Sequence, residues 1–235
     1  MDSSRILIIP DLHFPYCHKD ALDFLYKANK LLNPSRIICL GDELDYHAMS
    51  FHDSDPDLDS AGKELALALG YIDTLHEIFP KMDLLHSNHG SMAYRKSKHN
   101  GIPRHLIKSY NDALCIPEQD WKWHERLIVE LPNGTNMCAV HSLGADSLRA
   151  SQSLGMSLVQ GHHHSSFEIR YWQNMSNLNF AITSGCLIDD NSMAFAYNKL
   201  QVKRPIMGAT FIENSIPTLI PMLVDSNNRW TGTKI

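Results

Sequence analysis

Near the start of the chain, Arg5-Ile6-Leu7-Ile8-Ile9 runs directly into Pro10-Asp11-Leu12-His13. A short unbroken apolar run has no solvent-facing positions, so it reads as a strand buried on both faces, and the proline and acid after it break it into a loop. Lys19 to Leu32 follows, with Ala21, Leu22, Leu25, Ala28 and Leu32 at helical spacing, and stops at Asn33-Pro34. Arg36-Ile37-Ile38-Cys39-Leu40 then repeats the first run and breaks at Gly41-Asp42. Strand, helix, strand in this order predicts a right-handed parallel pair.

The rest of the chain extends that beginning. A polar loop at Asp53 to Asp59 precedes a long helix from Ser60 to Phe79, closed by Pro80. Met82-Asp83-Leu84-Leu85-His86 reads as a third strand, broken at Ser87-Asn88-His89-Gly90. From Arg126 the texture changes to short strands: Arg126 to Leu131, Met137 to Val140, Leu158 to Gln160, Phe167 to Trp172, Asn179 to Thr183, Ile206 to Ile212 and Thr218 to Val224. Asn133-Gly134 is a hairpin signal, and Ala145 to Leu154 is the best helical segment of this half. Trp121 and Trp123, at alternate positions, read as core residues. No repeat, low-complexity tract or linker divides the chain, so residues 1–235 are expected to form one domain. The fold class that accommodates a parallel first half and a strand-rich second half is α/β, a four-layer α-β-β-α sandwich with two mixed β-sheets flanked by helices.

Composition narrows the function. A net charge of −5 disfavours a protein that coats nucleic acid through a broad basic surface, but not one that grips a few phosphates. The apolar runs are too short to span a bilayer, and Met1-Asp2-Ser3-Ser4-Arg5 lacks the features of a signal peptide, so a cytoplasmic location is expected. Cys17, Cys39, Cys115, Cys138 and Cys186 are odd in number and include no Cys-x-x-Cys, which argues against a disulfide framework or a thiolate zinc site. Histidine is the unusual count: 14, many of them beside acids, asparagine or each other.

Those polar residues fall at the ends of expected strands. Asp11 and His13 follow the first, Asp42 and Asp45 the second, Asn88 and His89 the third; His141 follows Val140, and His162-His163-His164 follows Gln160. The carboxyl ends of parallel strands open on one crevice, so these groups are expected to meet there. Carboxylates, imidazoles and an amide oxygen suit divalent Mn, Fe, Zn, Ni or Co, with Mn placed first. Seven candidate ligands would exceed what one ion takes; two ions sharing a bridging carboxylate would use them all. In an extended segment residues two apart point the same way, which pairs Asp11 with His13, and His162 with His164, and turns His163 outward.

Asp11-Leu12-His13, Gly41-Asp42-Glu43-Leu44-Asp45, Asn88-His89, His141 and Gly161-His162-His163-His164 together resemble, in order and spacing, the calcineurin-like metallophosphoesterases. More loosely, Gly41 to His47 and Ser87 to Ser91 with Tyr94-Arg95-Lys96 look like phage-encoded phosphoesterases, which would place the protein in a host cytoplasm. The resemblance implies a hydrolase with two divalent metals: Asp11, His13 and His164 on one, Asn88, His141 and His162 on the other, and Asp42 bridging. It implies that a metal-bridging hydroxide attacks phosphorus, that His89 assists the leaving group, and that Asp45 orients the His89 ring. Two departures stand out. The family usually has Gly-Asn-His followed by an acid where this chain has Ser87-Asn88-His89-Gly90, and its protein phosphatases carry an arginine where Tyr46-His47 stand here.

The expected substrate is a phosphodiester or phosphomonoester of a nucleotide or nucleic acid, the diester favoured. His47, Tyr94, Arg95 and Lys96 are the candidate substrate-binding residues, with His52 a weaker one. From His89 to Asn111 there are five Lys/Arg and no acid, which reads either as a phosphate-holding stretch or as a solvated helix face. A phosphoprotein phosphatase and a non-catalytic metal-binding interaction module are the alternatives. No membrane partner is expected, and the sequence leaves the oligomeric state open.

Overall fold

The computed structural model describes residues 2–50, 57–192 and 202–232. The opening run forms strand β1 (Arg5–Ile9), followed by helix α1 (Ala21–Leu32) and strand β2 (Arg36–Cys39). β1 and β2 pair in parallel with Ile8 opposite Ile38. Helix α2 (Ala61–Ile78) and strand β3 (Met82–Leu85) repeat the unit beside β2. Two short helices, α3 (Met92–His99) and α4 (Tyr110–Leu114), lead to β4 (Trp121–His124), which pairs in parallel with β3. The sequence sets no bounds for either helix or for β4. Lys122 and His124 break the apolar run that marks a buried strand, yet Trp121 is fully buried and Trp123 packs on the same cluster, as their alternate spacing implies.

Strands β5 (Leu127–Glu130) and β6 (Asn136–Val140) form the hairpin signalled by Asn133-Gly134. Helix α5 (Ser147–Leu154) crosses from β6 to strand β7 (Ser157–Gln160), and β8 (Phe167–Gln173) and β9 (Leu178–Ser184) follow as a second hairpin. The order in this sheet is β5-β6-β7-β9-β8. The final hairpin, β10 (Gly208–Glu213) and β11 (Ile216–Pro221), returns to the first sheet and pairs antiparallel with β1, giving β11-β10-β1-β2-β3-β4.

The alternation within each apolar run explains the layers. Ile6, Ile8, Ile38, Leu40 and Leu85 point inward to meet Met137, Ala139, Val159, Phe180 and Ile182 of the second sheet. Leu7, Ile9, Ile37 and Cys39 point the other way, against Phe24, Leu25, Ile72 and Leu75 of α1 and α2. Cys138, Val140 and Leu158 pack on the α5 side of the second sheet. The four-layer α-β-β-α arrangement with two mixed sheets follows, because every central strand must be covered on both faces.

Element ends differ from expectation where a side chain sets them. Helix α5 begins at Ser147 rather than Ala145 because the Asp146 carboxylate accepts the backbone N–H groups of Leu148 and Arg149 at 3.1 and 3.3 Å. No described helix is long and apolar enough to cross a membrane.

Candidate metal centre

The carboxyl ends of β1, β2, β3, β6 and β7 deliver Asp11, His13, Asp42, Asp45, Asn88, His89, His141, His162 and His164 to one end of the sandwich. Their ligand atoms form three groupings, each within 4.8 Å: Asp11, His13 and His164; Asp42, His141 and His162; and His13, Asp42 and His89. Asp42 and His13 each belong to two of them. A depression of about 330 Å³ beside the second grouping is lined by Asn88, His141 and His162. A larger one, about 580 Å³, lies at the opposite ends of β2, β3 and β4, and contains none of these groupings.

Hydrogen bonding orients the rings toward a common centre. The His141 Nδ1–H donates to the Leu40 carbonyl at 2.9 Å, which turns Nε2 toward Asn88 Oδ1 at 2.7 Å and Asp42 Oδ2 at 3.3 Å. In the neutral ring Nε2 is then a lone pair facing two acceptors, an arrangement stabilised by a proton or by a cation among them. The His13 Nδ1–H donates to Asp45 Oδ1 at 2.6 Å, and its Nε2 lies 3.2 Å from His164 Nε2 and 3.5 Å from Asp42 Oδ2. The same Asp42 oxygen thus stands between the two groupings, as a bridging ligand would.

Burial sharpens the electrostatics. Desolvation by itself would raise the Asp42 carboxyl, but His141 and His13 hold it well below the usual carboxylate range. Burial would lower His141, yet the carboxylates of Asp42 and Asp11 raise it to about 9. His164 is likewise raised by Asp11 against the effect of burial, while burial and the neighbouring His141 push His162 down. Asp11 is fully buried; its Oδ2 accepts the His162 backbone N–H at 2.7 Å and lies 3.1 Å from His164 Nε2, while Oδ1 has no hydrogen-bond partner. A buried carboxylate with one oxygen beside an imidazole nitrogen and the other unpartnered fits a divalent cation.

The extended-parity argument reaches these neighbours by the wrong route. His13 and His162 both adopt left-handed backbone, with φ 52° and 65°, so neither segment is extended. The turns themselves fold the side chains inward, and His163 points away, its Nε2 2.9 Å from the Gly144 carbonyl. Asp42 and Tyr46 are also left-handed, which concentrates unusual backbone at the site. The His89 Nδ1–H donates to the Asp45 backbone carbonyl and lies 3.6 Å from Asp45 Oδ1, the same carboxylate oxygen that accepts from His13 Nδ1–H.

The departure at Ser87 and Gly90 has a structural answer that the sequence does not signal. The Ser87 hydroxyl accepts the backbone N–H groups of Asp42 and Gly90, each at 3.0 Å. A Cβ on Gly90 would approach the Tyr110 hydroxyl to 3.0 Å. That hydroxyl donates to the buried carboxylate of Glu43, so the space beside Gly90 holds an acid delivered from the neighbouring loop. Tyr110 lies 67 positions from Glu43, and no local pattern connects them.

Of the expected substrate residues, His47 sits beside the centre, its Nδ1 3.7 Å from Asp45 Oδ2, and its backbone N–H is held at 2.7 Å by Glu64 of α2. Tyr94, Arg95 and Lys96 lie on α3, which packs against the His47–Met49 turn. His52 lies outside the described residues.

No family model matches the sequence, and no curated protein matches it. Among solved structures, the chain is similar to YfcE, a phosphoesterase from E. coli, at 10% identity over 97% of both chains with a TM-score of 0.52. Vacuolar Protein Sorting 29 from Cryptosporidium parvum aligns with 92% of this chain and 95% of its own at 13% identity and a TM-score of 0.45. TT1561 of Thermus thermophilus aligns with 93% of this chain and 98% of its own at 8% identity and a TM-score of 0.43. The chain shares its fold with a phosphoesterase, and carries groups of histidine and aspartate able to bind metal at one end of that fold.

Proposed function

We propose that the protein hydrolyses phosphate esters, diesters in preference to monoesters, of a nucleotide or nucleic acid, with two divalent ions. The observation that carries this reading is the position of Asp42 Oδ2, 3.5 Å from His13 Nε2 and 3.3 Å from His141 Nε2, at the junction of two ligand groupings. Asp11, His13 and His164 would hold one ion, Asn88, His141 and His162 the other, and Asp42 both. Mn is the first candidate, followed by Fe, Zn, Ni and Co. Bound there, such ions supply Lewis acidity toward the phosphoryl oxygens and lower the pKa of an attacking water.

The remaining work belongs to the protein. His13 and His141 are fixed by Asp45 and by the Leu40 carbonyl, so their Nε2 atoms face the centre without reorganisation. The His89 Nδ1–H is committed to the Asp45 carbonyl, which leaves Nε2 to hold a proton and deliver it to the leaving oxygen. Its side chain is 25% exposed, open to a substrate, whereas those of Asp42 and His13 are 1% and 2% exposed. His47, Tyr94, Arg95 and Lys96 would line the approach.

The test compares p-nitrophenyl phosphate with its bis ester, in Mn, Ni, Co, Zn and Mg, for the wild type and His89→Ala. Metal-dependent diester turnover that falls roughly 100-fold or more in His89→Ala, with metal content unchanged, is the expected result. Turnover of the monoester alone would sink the diesterase reading. Metal bound without turnover of either ester would favour a binding module.

A further inference from the structure

We infer that the segment from α3 to α4 is a binding arm for single-stranded nucleic acid. This deepens the proposed function and rests on it for the arm's place beside a phosphoester centre. From His89 to Asn111 the chain holds five of its 21 Lys/Arg and none of its 26 Asp/Glu, so a locally basic surface stands on a protein of net charge −5. Lys98, Arg104 and Lys108 are exposed and have no carboxylate within ion-pairing distance among the described residues. Elsewhere Arg36, Lys81, Arg170 and Arg229 are paired with acids, and Lys30, Lys122 and Arg149, also without an ion pair among the described residues, lie on separate elements rather than together on one acid-free segment. A row of unneutralised cations is the footprint of a phosphate chain.

The arm also exposes apolar surface, which a partner recognised by charge alone does not need. The Tyr94 ring is 41% exposed, with the Arg104 guanidinium 5.8 Å from its centroid. Ile102 and Leu106 are 45% and 68% exposed on the same segment. A guanidinium lying over an exposed aromatic ring offers a planar stacking surface to an unstacked base, and bases are unstacked in single strands rather than in duplexes.

Both ends of the arm are fastened to the candidate centre. The Met92 N–H donates to the His89 carbonyl at 2.9 Å, so α3 grows directly out of the His89 loop. At the far end Tyr110, the first residue of α4, donates to the Glu43 carboxylate next to Asp42. A strand lying along the arm is therefore delivered to the rim of the metal groupings, where its flanking phosphates meet Arg104, Lys98 and Lys108.

The experiment is binding of a fluorescein-labelled oligothymidylate to the full chain in EDTA, followed by anisotropy across a salt series. Binding without metal separates the arm from catalysis: a failed chromogenic-ester assay overturns the hydrolase reading alone, and absent oligothymidylate binding overturns the arm alone. The double reversal Arg104→Glu with Lys108→Glu is expected to weaken binding at least tenfold and make the log K against log salt slope shallower by about 1.4, two single-strand phosphate contacts. Tyr94→Ala is expected to weaken binding several-fold with the slope unchanged. The charge-matched control Lys30→Glu with Lys122→Glu, on other surfaces, is expected to bind as the wild type. Equal effects of the two double reversals, preference for a duplex of the same length, or binding to phosphatidylserine vesicles but not to oligothymidylate would each overturn the inference.

Discussion

At the scale of single residues, the site depends on small side chains that make room for charged ones. Gly161 is the clearest case: a Cβ there would stand 2.3 Å from Asp11 Oδ1. Gly161→Ala must displace that carboxylate, so the variant is expected to fold while binding Mn about 10 to 100-fold more weakly, read by calorimetric titration. Glu43 supplies a second prediction. Burial raises its carboxyl from 4.5 to about 7 despite the Tyr110 hydrogen bond. The folded state thus holds a proton that the unfolded chain releases near 4.5, and stability falls as pH rises from there through about 7. Glu43→Gln should flatten that fall in the metal-free protein, seen by urea unfolding at successive pH values; an unchanged slope would assign it to another group. Neither the closeness of Gly161 to Asp11 nor the Glu43–Tyr110 pair is legible in the sequence, since the first needs the folded position of Asp11, far earlier in the chain, and the second spans 67 positions. The histidines and acids are legible because their residue types recur at the same place, the end of an apolar run.

At the scale of elements, the unbroken aliphatic runs decide the outcome, and their legibility follows from burial. β1, β2, β3 and β7 are covered on both faces, so apolar side chains are favoured along their whole length. β4 is hidden because an exposed Lys122 separates the fully buried Trp121 from the half-buried Trp123 and His124, so no unbroken apolar run marks it. Ile8 lies between the sheets with no exposed surface. Ile8→Ala is expected to cost about 2–5 kcal/mol by denaturant unfolding; a loss under about 1 kcal/mol would mean that the sheets close over the cavity. The left-handed turns at His13, Asp42 and His162 escape sequence reading, because none uses the glycine that usually marks such backbone.

At the scale of the whole molecule, the candidate centre joins the two sheets. Asp11, His13 and Asp42 come from the first, His141, His162 and His164 from the second. A cation shared among them would tie the layers together, so metal at about 100 times its dissociation constant is expected to stabilise the fold by about 2.7 kcal/mol, with Tm rising accordingly. Thermal unfolding with and without EDTA checks this, and a Tm indifferent to Mn would place the ion away from both sheets. The pairing of β1 with β10 has a different consequence. Arg5 faces Glu213, 208 residues further along, so β1 leaves the ribosome long before its antiparallel neighbour has been synthesised. Until then the β1 side of the parallel strands is an open hydrogen-bonding edge, and the nascent chain needs shielding from other strands while it waits. Ribosome-stalled chains ending before β10 should therefore be protease-sensitive and chaperone-bound, and release of the last hairpin should be the event that closes the sandwich.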